Sequence, residues 1–329
     1  MAKKHQKRDV VIIGAGMAGL TAALYAGRSG LSVLVLESEL VGGQIANAAG
    51  IENYPGVPGI GGGELISAVQ TQAEKFGAVV DEFDSIMSVN LSAQPKIIET
   101  ENAVYETGAV ILATGMKRRK LPLKEADRYE GRGVHYCELC DGQAYAGKTV
   151  AVIGGGNAAV DAAEYLSKLA SKLYLIQRSE LRADAASVER LLSHSNVELL
   201  LQTEPKALSG DTRLTAATLL DRKAEATREL SLDAVFVNIG VEPNTAMFAD
   251  QVKLDKAGNI VAGEDCRTNL DGVFAAGDVR TKEVRQLTTA AADGTVAALG
   301  AVRYLRSQEA GKKKTSKKVS FYDNYKKEF

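Results

Sequence analysis

The stretch DVVIIGAGMAGLTAALYAGRSGLSVLVLE, residues 9–37, sets out one complete structural unit. Residues 10–13 are an apolar run without alternation, the pattern of a strand buried on both faces. Gly14, Gly16 and Gly19 follow as GxGxxG, and Leu20, Ala23, Leu24 and Gly27 then recur at helical spacing. A second strand over 32–36 ends at Glu37, 23 positions after Gly14. The glycines permit a tight turn and let the backbone approach a pyrophosphate. The helix N-terminus offers free N–H groups and the positive end of a dipole, and the acid accepts hydrogen bonds from a ribose. GxGxxG alone is a weak signal. Between a strand and a helix, with an acid at this distance, it reads as a dinucleotide site.

The plan recurs in KTVAVIGGGNAAVDAAEYLSKLASKLYLIQR, residues 148–178. A strand over about 149–153 leads to Gly154, Gly156 and Ala159 as GxGxxA, with Asn157 and Ala158 opening the helix. A strand over about 172–176 ends at Gln177, where the first copy has Glu37. Two such units predict two nucleotides, and the usual reason is electron transfer between a flavin and a nicotinamide. Downstream of the first copy, VGGQIANAAGIENYPG (41–56) is a loop suited to wrapping a cofactor. LDGVFAAGDVR (270–280) reads as a strand leading to Ala-Gly-Asp, and RQLTTAAADGTVAAL (285–299) as a helix of small residues. Here an aspartate can bond a sugar-alcohol chain while helix N–H groups meet a ring carbonyl. The ends of the chain therefore form one domain, 1–120 with 245–310, interrupted by a second over 121–244. The expected class is α/β, with two Rossmann-like (three-layer ββα) dinucleotide-binding domains, the second inserted in the first.

Composition narrows the function. With 45% hydrophobic and 25% charged residues, the 329-residue chain is of ordinary globular type. No apolar run approaches a membrane span, and the N-terminus lacks a signal core, so no membrane association and a cytoplasmic location are expected. Residues 311–329 hold seven lysines against Asp323 and Glu328, a basic and aromatic tail of net +5 on a body of −6. No basic stripe crosses the body, so no nucleic-acid partner is expected. Three cysteines exclude a disulfide scaffold. Two of them stand as CxxC in HYCELCDGQAY (135–145), a pair that can bind a metal, staple a loop or carry electrons.

GAGMAG, GGQ, IENYPG, ATG (113–115), CxxCDG, GGGNAA, GDVR and RQ occur in an order that resembles the low-molecular-weight thioredoxin reductases, over about residues 8–306. In that family the CxxC lies just before the second glycine loop, and here Cys140 precedes Gly154 by 14 residues. Zinc normally takes four ligands, and no second CxxC or HxxxH exists. A staple across two residues constrains little. Redox exchange remains. The resemblance implies FAD on Gly14, Gly16, Gly19, Glu37, Gly43, Gln44, Asn53, Thr114, Gly115, Gly277, Asp278, Arg285 and Gln286. It implies that Cys137 attacks the substrate disulfide, that Cys140 lies proximal to the flavin, and that Asp141 manages protons. A bland alternative makes Asp141 a helix N-cap. It further implies thioredoxin or a thioredoxin-like protein as substrate, a homodimer, and rotation of the inserted domain.

The second nucleotide site departs from the family. NADPH-type members carry HRR and a further arginine after the second strand. Here LIQRSELRAD (175–184) has Gln177, Arg178 and Ser179 in place of the triplet, one residue short, with Arg182 beyond. NAD(P) on Gly154, Gly156, Asn157, Ala158, Gln177, Arg178 and Arg182 is the family expectation. Whether NADPH, NADH or ferredoxin is the donor stays open, as does a flavin redox sensor with little turnover. Cys266 reads as a core or surface residue, and His5, His135 and His194 as forming no triad or metal cluster. Tyr322, Tyr325 and Phe329 form a helical stripe in the tail, either a frayed end or short helix on the body, or an aromatic that docks over the flavin or a dimer partner.

Overall fold

The computed structural model describes residues 3–46, 48, 50–57 and 59–325, with side chains as far as 310. The chain divides into two compact units, Met1–Met116 with Pro243–Phe329, and Lys117–Glu242. The crossing segments Met116–Arg118 and Val241–Pro243 pair as a two-stranded ribbon. Leu121 is buried in the core of the second unit. The crossings therefore fall a few residues before the sequence-based boundaries, because pairing and packing begin there.

The first unit opens with β1 (Lys4–Ile13), α1 (Met17–Arg28), β2 (Val33–Glu37), α2 (Gly62–Lys75), β3 (Val79–Glu82), β4 (Ile86–Asn90), β5 (Lys96–Thr100) and β6 (Ala103–Leu112). β3, β2, β1 and β6 lie side by side and parallel. The first half of β6 continues antiparallel to β5 and then β4, and its last residues pair with the returning strand Val273–Ala275. β1 is apolar over its last four residues, 10–13, because both faces are covered there. Val10 and Ile12 pack with Leu20 and Ala23 of α1 and Ala297 of the last helix, Leu287–Tyr325. Val11 and Ile13 point the other way, to Phe248, Ile260 and Val279. The helices approach closely where Gly294 faces α1, since a Cβ there would collide with the Ala18 carbonyl. The helix backbone continues through the basic tail. The stripe of Tyr322, Tyr325 and Phe329 lies outside the described side chains.

In the second unit five parallel strands run in the order Val197–Leu200, Lys172–Ile176, Thr149–Ile153, Ala234–Val237, Val134–His135. On one face Val150, Val152, Leu173 and Phe236 pack on helix Asn157–Ser167 through Ala159, Ala163 and Leu166. On the other, Ala151, Ile153 and Val235 meet Leu208, Leu214 and Leu219 of the antiparallel layer Thr203–Gly210, Leu214–Asp221, Ala226–Ser231. Both units are thus three-layer Rossmann-like folds, the second inserted in the first, as the two sequence copies predict.

Replacing Gly294 with Ala is expected to destabilise the fold by about 1–3 kcal/mol, the usual cost of overpacking. A lowered urea midpoint at unchanged slope checks it.

Candidate active site: a flavin-type cleft and a surface disulfide

The first unit holds a cleft of about 470 Å³ at the C-terminal ends of β1, β2 and β6. Eleven of the thirteen residues expected to hold FAD line it: Gly14, Gly16, Glu37, Gly43, Gln44, Thr114, Gly115, Gly277, Asp278, Arg285 and Gln286. Gly19 sits beneath the turn, where a Cβ would strike the Gly14 carbonyl. Asn53 is not among the lining residues and reaches Gln286, its Nδ2 donating to Oε1 at 3.3 Å. Gly14 has φ +104°, and a Cβ there would run into the Ala113 carbonyl. The turn is thereby locked against β6. Glu37 braces it from the side, accepting from the Ala15 amide at 2.9 Å and from the Glu39 amide at 3.2 Å. Each carboxylate oxygen keeps a lone pair for a ribose.

Asp278 supplies the test of fit. Its Oδ1 is buried and has no hydrogen-bond partner within the protein. Burial pushes its carboxyl above the ordinary range, against the pull of Lys282 and Arg285. A buried acceptor left open in a cleft fits a hydroxyl-bearing ligand, because an unmade bond is costly. The 277–280 turn carrying it is anchored from below by Asp293, which sequence reasoning missed. Asp293 accepts from the Gly277 amide at 3.0 Å, from Arg280 at 2.8 and 2.7 Å and from Lys282 at 2.9 Å. Burial alone raises the Asp293 carboxyl, but the bonds from Arg280 and Lys282 outweigh it and hold it below the ordinary range. The available signal was one acid within the small-residue run AAADG.

The second glycine loop repeats the geometry. Gly154 has φ +146°, and a Cβ there would meet the Asn238 carbonyl. The residues that follow differ. Gln177 is buried and folded onto Gly155. Its Nε2 donates to the Glu180 carbonyl at 3.2 Å and its Oε1 accepts from the Arg178 amide at 3.1 Å. The Arg182 amide donates to the Gly155 carbonyl at 2.6 Å. Asn157 and Asp184 exchange bonds at 3.0 and 2.9 Å. Gly156 is half-buried, and Ala158, Arg178 and Arg182 are exposed beside the loop. Arg222, absent from the sequence reading, comes from the antiparallel layer and donates to the Arg178 carbonyl at 3.4 Å. Both arginines, with the hydrogen-bonded Lys206, act to hold Glu204 low.

The two cysteines form a disulfide, Cys137–Cys140, with Cα atoms 5.3 Å apart. Among the described residues no group of three or more His, Cys, Asp or Glu is placed to hold a metal. Cys137 caps the one-turn helix Glu138–Asp141, its Sγ accepting from the Cys140 amide at 3.2 Å. Cys140 is exposed and Cys137 half-buried. Glu138 lies 3.5 Å from the Arg118 guanidinium, so its charge is opposed beside the sulfurs. Asp141 makes no side-chain cap. Its carboxylate instead stands 3.2 Å from Nδ1 of His135, whose Nε2 is 2.8 Å from the Tyr145 hydroxyl. His135 thus stands between the Tyr145 hydroxyl and the Asp141 carboxylate, beside the CxxC turn.

Two dinucleotide folds, one of them carrying a redox-type cysteine pair, define a flavoprotein disulfide reductase. The family model for pyridine nucleotide-disulphide oxidoreductases matches residues 8–294, and the chain belongs to that family. A Clostridium pasteurianum protein described as a 34.2 kDa protein in the rubredoxin operon is 45% identical over 92% of this chain and 99% of its own. Thioredoxin reductase of Treponema pallidum is 41% identical over 90% of this chain and 97% of its own. The solved thioredoxin reductase of Lactococcus lactis is 35% identical, with TM-score 0.83 over 91% of this chain and 99% of its own. A ferredoxin-flavin thioredoxin reductase from Clostridium acetobutylicum is 32% identical, with TM-score 0.51 over 92% and 99%. The likeness is to the low-molecular-weight thioredoxin reductase class, and the cofactors that go with it are FAD and a nicotinamide dinucleotide.

Asp278→Asn is expected to separate stability from binding. A carboxyl raised by the fold favours the native state below the ordinary carboxylate range and loses that contribution as pH rises through its folded value. At pH 7 the flavin-free Asn variant should therefore melt no lower than the parent, while binding flavin about tenfold or more weakly. Thermal scans of the flavin-free protein and flavin fluorescence titration read the two effects.

Proposed function

We propose that the chain reduces the disulfide of thioredoxin or a thioredoxin-like protein. The observation that carries this reading is the Cys137–Cys140 disulfide on a surface turn, followed at once by Asp141. FAD, when bound, supplies reversible storage of two electrons between a one-donor reductant and the disulfide. Gly14 and Gly16 would take its pyrophosphate, Glu37 its ribose and Asp278 its sugar-alcohol chain. Arg285, Gln286 and the N-terminus of the last helix would take its ring end, with Gln44, Thr114 and Gly115 on the opposite wall.

In the reduced protein, Cys137 is the thiolate that attacks the partner disulfide, and Cys140 resolves the mixed disulfide. Asp141 takes and returns the proton that the exchanging sulfurs require. The donor reading favoured by geometry is NADPH. Arg222 reaches the Arg178 carbonyl and both arginines act on Glu204, so two guanidinium groups lie near one another beside the loop, and a planar guanidinium matches a 2′-phosphate. A second reading, ferredoxin as donor, draws on Gln177, whose amide is spent on its own loop, and on the likeness to the ferredoxin-flavin enzyme. A homodimer in a reducing cytoplasm completes the proposal. No described helix is long and apolar enough to cross a membrane.

Anaerobic titration of the flavoprotein with NADPH, NADH and reduced ferredoxin in separate runs tests the donor. Fast bleaching of the flavin band by NADPH is expected, slowed about tenfold or more in Arg222→Ala. Bleaching by ferredoxin alone would discard the nicotinamide reading. Cys137→Ser is expected to keep flavin reduction and turnover with a small one-electron acceptor, yet lose at least about 100-fold in thioredoxin reduction. Surviving thioredoxin reduction would discard the assigned attack.

A further inference from the structure

His135 is the last residue of a two-residue strand at the edge of the second unit's sheet, paired in register with Phe236. Its side chain is buried, stacked on the Phe236 ring at 5.4 Å and edge-on to the Tyr145 ring at 5.1 Å. Nε2 is hydrogen-bonded with the Tyr145 hydroxyl at 2.8 Å, and Nδ1 faces Asp141 Oδ2 across 3.2 Å. Burial pushes the Tyr145 phenol above its ordinary range, so the hydroxyl is neutral, and the bond it shares with the ring can run in either direction.

The consequence lies one residue further on. Asp141 is part of a single helical turn on the surface, and its carboxylate would otherwise be free to rotate. Its amide is held by the Cys137 carbonyl at 3.1 Å, so backbone and side chain are fixed from two sides. The titratable groups around His135 are Asp141 on the turn and Tyr145 beyond it. Arg213 and Asp233 from the opposite side act on Tyr145, and Glu138, on the turn itself, is opposed by Arg118.

We propose that His135 is a positioning residue for disulfide exchange, holding the Asp141 carboxylate in place beside the cysteine pair while Tyr145 steadies the ring from its other nitrogen. The inference rests on the disulfide reductase reading above. In the exchange, the Cys137 thiolate forms a bond to one partner sulfur as the partner's S–S bond breaks, and the departing partner sulfur takes a proton. Cys140 then forms its bond to Cys137, breaking the mixed disulfide and releasing the second partner thiol. Two electrons pass from the cysteine pair to the partner. Of the partner's two new protons, one replaces from solvent the proton Cys137 lost on becoming a thiolate, and the other is the Cys140 proton, which Asp141 accepts and hands on. His135 only holds the carboxylate.

The test uses the dithionite-reduced flavoprotein, mixed in stopped flow with oxidised thioredoxin and, in parallel, with the small disulfide 5,5′-dithiobis(2-nitrobenzoate), across pH 5–9. His135→Phe keeps the stacking on Phe236 but removes both ring nitrogens. Its dithiol oxidation is expected to slow about tenfold or more, within the usual reach of a misplaced acid–base group. His135→Asn carries a non-titrating amide N–H near the position of Nδ1 and should recover most of the plateau rate. Tyr145→Phe should slow exchange in the same direction, by less. Flavin reduction by the donor should be unchanged in all three. An unmoved rate in His135→Phe, or an Asn variant as slow as the Phe variant, overturns the inference. Should His135→Phe not fold, equal rates and profiles in the parent, His135→Asn and His135→Gln overturn it as well, because Gln places its N–H away from Asp141. A parent protein active on the small disulfide but not on thioredoxin overturns the partner reading instead, and His135 is then still read on the small disulfide.

Discussion

Both units are organised by the same steric constraint, a strand that ends in a residue with no Cβ, pressed against the carbonyl of a neighbouring strand. At Gly14 the carbonyl belongs to Ala113, and at Gly154 it belongs to Asn238. The neighbouring backbone reinforces it in the same way twice. The Ala113 amide bonds the Ile13 carbonyl, and the Asn238 amide bonds the Ile153 carbonyl, each at 2.8 Å. Any L side chain at either glycine would force these strands apart and open the sheet at its centre. The helix that follows therefore starts at a fixed height above the sheet. Its free amides face the crevice at the strand ends, where ligands of open α/β sheets are bound.

The two copies share that frame and differ in what they leave available. Glu37 folds onto its glycine turn but keeps unused lone pairs, and the cleft beside it contains a buried acceptor in Asp278 that no protein group satisfies. Such an atom lowers the stability of the empty fold and is worthwhile only if a ligand meets it. Gln177 occupies the corresponding place in the second copy and spends its amide on the loop 177–180. Arg178 and Arg182 stand exposed beside that loop. The two copies thus offer different surfaces, a cleft with open acceptors in one and an exposed, charged rim in the other.

The frame was legible in the sequence because its signals are local. A strand, a glycine turn, a helix and a second strand lie within thirty residues or so, and hydrophobic period alone separates the elements. The cleft residues were legible through the order of short motifs along the chain. What could not be read is what tertiary folding adds. Asp293 reaches the 277–280 turn from the last helix, and Arg222 reaches Arg178 from a different layer. His135, Asp141 and Tyr145 are six and four residues apart, an even spacing that would share one face of a strand, yet only His135 lies in a strand. They converge only because the chain leaves the sheet edge at His135, makes one helical turn at Glu138–Asp141, and folds a short 3-10 segment, Gly142–Tyr145, back over the ring.

That local path also explains why a rigid tether is needed at this point. A cysteine pair that exchanges with another protein must be exposed, and an exposed single turn has few packing contacts to fix its side chains. Proton transfer, in contrast, requires a carboxylate within a few tenths of an ångström of a productive place. The chain reconciles the two demands by placing the sulfurs outside and the anchor inside. Phe236 sits in the middle of the sheet, fully buried, and its ring fixes the plane of His135. The sheet's rigidity is thereby passed, through one imidazole, to the acid that follows Cys140. Leu139, exposed at the tip of the turn, is left to meet a partner without disturbing that alignment.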